Sequence, residues 1–278
     1  NSQITNNNLI DNDIGVELES SSNNNVSGNQ ITNYFGIFLG TSSFNNVSGN
    51  TITNCEESVY LYLSSNNTVS GNNILHSGST SVYLYSSSNN TVYGNNITYN
   101  EWRSIYIYGS FNNVISRNNV TSNYTGVYIS ASSNNRFYHN NFINNTIQVF
   151  GGGLNAFDND YPSGGNYWSN YAGVDEKRGS NQDQLGSDGI GDTPYVIDAN
   201  NRDKYPLTSP YEYWSNPILG DINKDMTVDC KDLFQSAISY GLTPQSPKWN
   251  PNADLNHDNK IDNTDLLTLT QNYGKNNP

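Results

Sequence analysis

Along the first 150 residues, apolar side chains return in columns separated by polar corners. One column reads Val26, Val47, Val69, Val92, Ile115 and Phe137, and a second reads Ile31, Ile52, Ile74, Ile97, Val120 and Phe142; both step by 21 to 23 residues. A third pair of columns alternates in the same register, with Val16, Ile37, Val59, Val82, Ile105 and Val127 followed two residues on by Leu18, Leu39, Leu61, Leu84, Ile107 and Ile129. A helix would space apolar residues three and four apart over ten or more positions. These patches are short, β-branched and of period two, which predicts strands. A unit of about 22 residues with three strands cannot bury its own apolar face, but stacked copies can pair each strand in parallel with its equivalents. The expected fold is mainly β: a parallel β-helix of about seven rungs over 1–150, roughly 30 Å long at the usual interstrand spacing. Residues 1–20 match the repeat less well, and the sequence begins inside a repeat with no amphipathic cap ahead of it. Such a rung edge is a template for another strand, so either further sequence or a neighbouring subunit is expected to cover it.

Two corner columns are asparagine: Asn24, Asn45, Asn67, Asn90, Asn113, Asn135, and Asn29, Asn50, Asn72, Asn95, Asn118, Asn140. Asparagine tolerates left-handed backbone angles, and stacked amides can bond in a ladder, so a structural role is the expectation. On the outer face of the third strand stand Phe38, Tyr60, Tyr83, Tyr106 and Tyr128, with Tyr62, Tyr85 and Tyr108 one step further out. Stacked rings would brace neighbouring rungs. The functional alternatives for this aromatic face are an interface with neighbouring subunits or another protein, or a platform for polysaccharide.

The repeat stops at Gly151-Gly-Gly, and 151–215 is rich in Gly, Pro, Trp and Tyr. Asn-rich rungs followed by Gly165-Asn-Tyr-Trp-Ser169 and Asp188-Gly-Ile-Gly-Asp-Thr-Pro-Tyr195 resemble the NosD-like β-helix repeat proteins of archaeal surfaces, a likeness covering about 1–215. The resemblance implies a right-handed helix whose Trp/Tyr segment closes the C-terminal end, with Tyr167 and Trp168 as plugs. Asp188 and Asp192 are also similar to the acidic loops of thrombospondin-type repeats and are candidate calcium ligands, with Asp175, Asp183 and Asp198 in reserve. The rival is a turn capped by carboxylates without metal.

Residues 216–278 carry a duplication. Asp221, Asn223, Asp225, Thr227, Asp229 and Asp232 of one loop return as Asp254, Asn256, Asp258, Lys260, Asp262 and Asp265 of the next. In both, oxygen side chains fill positions 1, 3, 5, 9 and 12, and position 7 offers its carbonyl, which is calcium chemistry. Val228 and Ile261 can share a small core. Amphipathic stretches Leu233–Tyr240 and Leu266–Tyr273 end at Gly241 and Gly274 as helix stops. Loop-then-helix duplication with Asp at position 12 resembles a type I dockerin. Met226 and Asn259 stand where an ordinary EF-hand has glycine. The resemblance implies a cohesin-like partner, met by Cys230, Lys231, Asn263 and Thr264.

Composition narrows the rest. A net charge of −13 leaves no basic footprint for nucleic acid. Cys55 and Cys230 fall in different regions and indicate neither a disulfide framework nor a thiolate site. No apolar run reaches the length of a membrane span. Scarce lysine and eight Asn-x-Ser/Thr triplets suit an extracellular or cell-surface protein, though such triplets arise freely in an Asn-rich chain. Catalysis is not legible: Asp11, Asp13, Glu17, Glu19, Glu56, Glu57 and Glu101 form no evident acid/base pair, and His76 and His139 stand isolated. The expectation is a non-catalytic surface protein, self-assembling in one extension, with a calcium-dependent docking module. The alternative is a polysaccharide-binding or polysaccharide-cleaving enzyme anchored through the same module.

Overall fold

A computed structural model describes residues 2–211, 220, 222, 228–244, 246, 248–256 and 258–274. The chain forms two compact units, Asn1–Tyr211 and Glu212–Pro278.

The first unit is a parallel β-helix of about eight turns. Each turn gives one three-residue strand to a first sheet, one to a second, and a six-residue strand to a third, as in Thr68–Ser70, Asn73–Leu75 and Thr80–Tyr85. All pairing between rungs is parallel and in register: Val69 sits between Val47 and Val92, Ile74 between Ile52 and Ile97, and Tyr83 between Tyr60 and Tyr106. The four apolar columns therefore face one another across a common interior, where Val47, Ile52, Val59 and Leu61 are fully enclosed. Two differences from the sequence expectation lengthen the helix. Residues 1–20 supply a complete rung, Gln3–Thr5, Asn8–Ile10 and Ile14–Glu19, because a rung needs only one inward residue on each short strand. At the other end Tyr167–Trp168 adds an eighth strand to the second sheet, placing Trp168 over Phe142.

Both asparagine columns are continuous ladders. In each step the backbone N–H and Nδ2 of one Asn donate to Oδ1 of the next, at 3.0 and 2.9 Å from Asn72 to Asn95. Nδ2 also reaches back to a carbonyl of the preceding rung, as from Asn72 to Val47. The left-handed residue is not the ladder asparagine but the one before it: Asn66 and Asn89 ahead of Asn67 and Asn90, and Gly71 and Gly94 ahead of Asn72 and Asn95. Arg117 and His139 occupy the same left-handed position, so the corner imposes the angle even where the residue type resists it. A serine column, Ser42, Ser64, Ser87, Ser110 and Ser132, runs in the same manner, each N–H donating to the next Oγ.

Because every step points the same way, a ladder needs a final acceptor. The ladder through Asn140 reaches Asn166, whose N–H donates to Asp203 at 2.7 Å. The ladder through Asn135 reaches Asn155 and then Asn201, held by Asp198. Asp203 is fully buried and also accepts from Trp168 Nε1 and the Tyr205 N–H. Burial pushes its carboxyl up to about 7, while these donors pull it back. Phe157 and Trp168 close the apolar interior, stacked on Phe137 and Phe142, and Tyr195 stacks outside Trp168 at 4.4 Å.

The second unit has two helices, α1 (Cys230–Ser239) and α2 (Asn263–Asn272). Both begin three residues earlier than the apolar pattern implies, because Asp229 with Asp232, and Asp262 with Asp265, form reciprocal caps. Val228 and Ile261 are buried together with Ile222, Ala253 and Leu269. The halves are cross-tied: Gly241 N–H donates to the Ile261 carbonyl and Gly274 N–H to the Val228 carbonyl, both at 2.8 Å. Among the described residues no helix is long and apolar enough to cross a membrane.

Candidate functional site

Three regions named from sequence, and one that was not, carry candidate functional side chains. On the third sheet, Tyr60, Tyr83 and Tyr106 stack nearly parallel at 4.7 and 4.5 Å between centroids. Tyr128 meets Tyr106 edge-on, and Tyr62, Tyr85 and Tyr108 form a second stack at 5.3 and 5.1 Å. The inner column is half-buried by its own stacking, and only Tyr62 and Tyr108 count as exposed. Within each stack the ring faces are turned to one another. Burial, then the nearby Glu57 carboxylate, pushes Tyr60 up to about 12. Burial raises Tyr83 and Tyr106 as well, the latter pulled back by Arg103. The Arg103 guanidinium lies 3.4 Å from the Trp102 ring centroid and 4.4 Å from that of Tyr106.

In the second unit Asp221, Asn223, Asp225 and Thr227 lie outside the described residues. The remaining members of both loops repeat one pattern. Asp232 Oδ1 accepts the Ile222 N–H, and Asp265 Oδ1 accepts the Leu255 N–H; both carboxylates are fully buried. Asp254, nearly buried, takes the N–H groups of Asp258 and Asn259. Asp258 accepts from Asn256 Nδ2 and the Lys260 N–H, and the exposed Lys260 ammonium pairs with Asp262 at 3.4 Å. Carboxylate and amide oxygens thus follow one another along one turn, residue types whose hard oxygens suit calcium. Cys230, Lys231, Asn263 and Thr264 sit on the exposed first turns of the helices, and Tyr240 donates to Asn263 at 2.8 Å. Helix α1 turns Leu233, Phe234 and Ile238 to solvent and buries Asp232, Ser236 and Ser239; α2 exposes Leu267 and buries Leu269.

In the cap segment the acidic side chains hold turns. Asp175 accepts the N–H groups of Asp188 and Gly189, Asp192 those of Glu176 and Lys177, and Asp188 those of Gly179 and Ile190. These bonds give each of the three carboxylates backbone partners. Among the described residues no three His, Cys, Asp or Glu side chains are grouped to hold a metal ion.

The region that sequence spacing did not single out is a groove of about 700 Å³ at the corner between the second and third sheets. It brings Asp11, Glu56, Glu101 and His76, which looked isolated along the chain, onto one ledge with Asn54 and Tyr34. The available signal was a break in the repeat: Cys55 and Ser77 replace the asparagines that neighbouring rungs place there, Asn33 and Asn100.

Residues 1–173 match the family described as periplasmic copper-binding protein (NosD), and 219–272 match the type I dockerin domain. No curated protein matches the chain. The copper in that description does not fit the side chains of the described residues. Cys55 is buried and directed at the Thr53 carbonyl, and His139 uses Nε2 on the Ser163 carbonyl. His76 stacks on Tyr99 without two further donors beside it, whereas copper favours a set of imidazole and sulfur ligands. The stacked rungs and the match over more than half of the sequence agree: the chain belongs to the NosD family and carries a type I dockerin domain at its C-terminal end.

Proposed function

We propose that this is a non-catalytic extracellular docking protein, in which the dockerin unit binds calcium in its two loops and thereby a cohesin-like partner, and the β-helix is the body so displayed. The observation that carries the reading is the duplicated arrangement of buried position-12 carboxylates. Asp232 and Asp265 each tie down an N–H ten residues earlier, beside loops whose remaining side chains are oxygen donors. Asp254, Asn256, Asp258, Asp262, Asp265 and the Lys260 carbonyl would hold one ion, and Asp221, Asn223, Asp225, Asp229, Asp232 and the Thr227 carbonyl the other. A cation there would offset the repulsion among carboxylates and fix the first turns carrying Cys230, Lys231, Asn263 and Thr264. The apolar face of α1 beside Cys230 and Lys231 supplies area that a partner could bury. Low lysine content and accessible sequons such as Asn66 and Asn89 support an extracellular setting.

The test is calorimetric titration of the chelated full chain with calcium, followed by sedimentation with a type I cohesin domain. Two binding events and calcium-dependent co-sedimentation are expected. Binding of the cohesin in excess chelator, or no heat on adding calcium, would overturn the reading.

A further inference from the structure

The corner groove is where the β-helix departs from its own rules. Elsewhere the corner between the second and third sheets carries an amide ladder: Asn12 donates to Asn33, and Asn100 to Asn123 and on to Asn145. Between these two runs stand Cys55 and Ser77. Cys55 offers its thiol to Thr53 and accepts from the Asn33 N–H, and the Ser77 hydroxyl pairs with Ser58 while its N–H donates to Asn100, so no side-chain amide fills either position. The corner also changes length here, from 33–34 in one rung to 76–79 and 99–102 in later ones. A short corner beneath longer ones leaves a ledge. Gly78 makes room on it, since a Cβ there would come within 2.6 Å of the Glu56 carboxylate.

What lines the ledge is chemically distinct from the rest of the helix. Ladder amides and column serines satisfy one another, yet the side chains of Asp11, Asn54, Glu56, His76 and Glu101 make no hydrogen bond to another described residue. Three carboxylates face the groove, and no Lys or Arg lines it. The Arg103 guanidinium, next along the chain, lies against the rings of Trp102, Tyr106 and Tyr128. Along the same corner run large aromatic side chains in solvent: Tyr34 and Tyr99 are 59 and 58 % exposed, Tyr124 50 % and Trp102 46 %. Unlike the tyrosines of the third sheet, Tyr34 and Tyr124 have no stacked partner among the described residues to cover their faces.

We propose that this groove binds a saccharide bearing free amino groups, an oligomer of glucosamine being the simplest form. Exposed rings suit the C–H face of a pyranose, free carboxylates and the Asn54 amide suit its hydroxyls, and the uncompensated charge of Asp11, Glu56 and Glu101 selects ammonium groups and repels uronates. The inference does not rest on the docking reading, because every residue in it belongs to the β-helix.

The experiment is calorimetry of the full chain with a glucosamine tetramer at mildly acidic pH, where its amines are charged. Binding is expected, weakened at least about tenfold, or 1.4 kcal/mol, in Glu56→Gln/Glu101→Gln. A uronate tetramer is expected not to bind. Tyr34→Ala/Tyr99→Ala should weaken the tetramer but leave any binding of a linear polyamine unchanged. All four positions are exposed, and circular dichroism melts check that the variants fold. No heat with the glucosamine tetramer would overturn the proposal. So would equal affinity in the double Gln variant, equal affinity for the fully N-acetylated tetramer, or a linear polyamine bound as tightly as the sugar.

Discussion

Within the rungs of the β-helix, whose columns pass hydrogen bonds from rung to rung, most buried polar side chains are neutral amides and hydroxyls. In the dockerin unit they are carboxylates, Asp232, Asp254 and Asp265, that collect N–H groups from their own loops. A neutral ladder is complete in itself once its last member finds an acceptor. Carboxylates brought together in a small unit repel one another, and in the proposed reading a cation offsets that repulsion. Repetition of sequence therefore has different meanings in the two units. In the rod it supplies the bonding partner, while in the dockerin it supplies a second capped helix and a symmetric half-core.

The largest effect that would sharpen this contrast is calcium removal. A thermal scan of the full chain should show two transitions, and chelation should lower only the dockerin one. Saturating calcium at about 1,000 times Kd is worth about 4 kcal/mol per site. A rod transition that moved in parallel would break the contrast.

Next come the ladder ends and middles. Asp203→Ala removes the acceptor shared by the Asn166 N–H and Trp168 Nε1 and should cost the rod about 3 kcal/mol or more, as read by chemical denaturation. Asn95→Ala strands the donors of Asn72 and should cost about 2 to 3 kcal/mol, whereas Asn25→Ala on the outer face should cost less than about 0.5 kcal/mol. Equal losses at positions 25 and 95 would show that the ladder is no more than surface decoration.

A further effect is a pH dependence of the rod. The folded-state value of Asp203 is raised to about 7, so the folded protein holds a proton that the unfolded chain releases near pH 4. Its stabilisation is complete below that lower value and is lost as pH rises through about 7. His139, held below its ordinary value chiefly by burial, works the other way, losing stability as pH falls through the ordinary histidine range. The difference between the wild-type protein and Asp203→Asn isolates the carboxyl: the variant should lack the decline between about pH 4 and 7. Smallest of all, Tyr83→Ser should cost about 1 kcal/mol by unstacking Tyr60 and Tyr106, with the fold intact.

The columns of the rod are legible in sequence because each rung repeats both the apolar position and its polar corner. The inward placement of Val69, Ile74, Val82 and Leu84 follows from their spacing alone. That of the ladder acceptor does not. Asp203 lies thirty-seven residues beyond Asn166, in a segment without periodicity, and only the fold brings them together. The same holds for the groove, whose carboxylates at positions 11, 56 and 101 come from alternate rungs and reach one groove only through stacking at one corner. In the dockerin the order is reversed. Loop spacing announces the candidate ligands directly, but the helices start three residues ahead of the apolar pattern because capping by Asp229 and Asp262 outweighs it.

The one-way sense of the amide ladders bears on how such a protein can change. Each interior rung presents an acceptor to the rung before and donors to the rung after, so duplicating or deleting a whole unit between Asn72 and Asn95 leaves every bond type intact. Length is then a variable open to unequal recombination, while the closing carboxylate is held fixed. A family built this way can be expected to vary in rung number far more readily than in the chemistry of the residue that stands where Asp203 does.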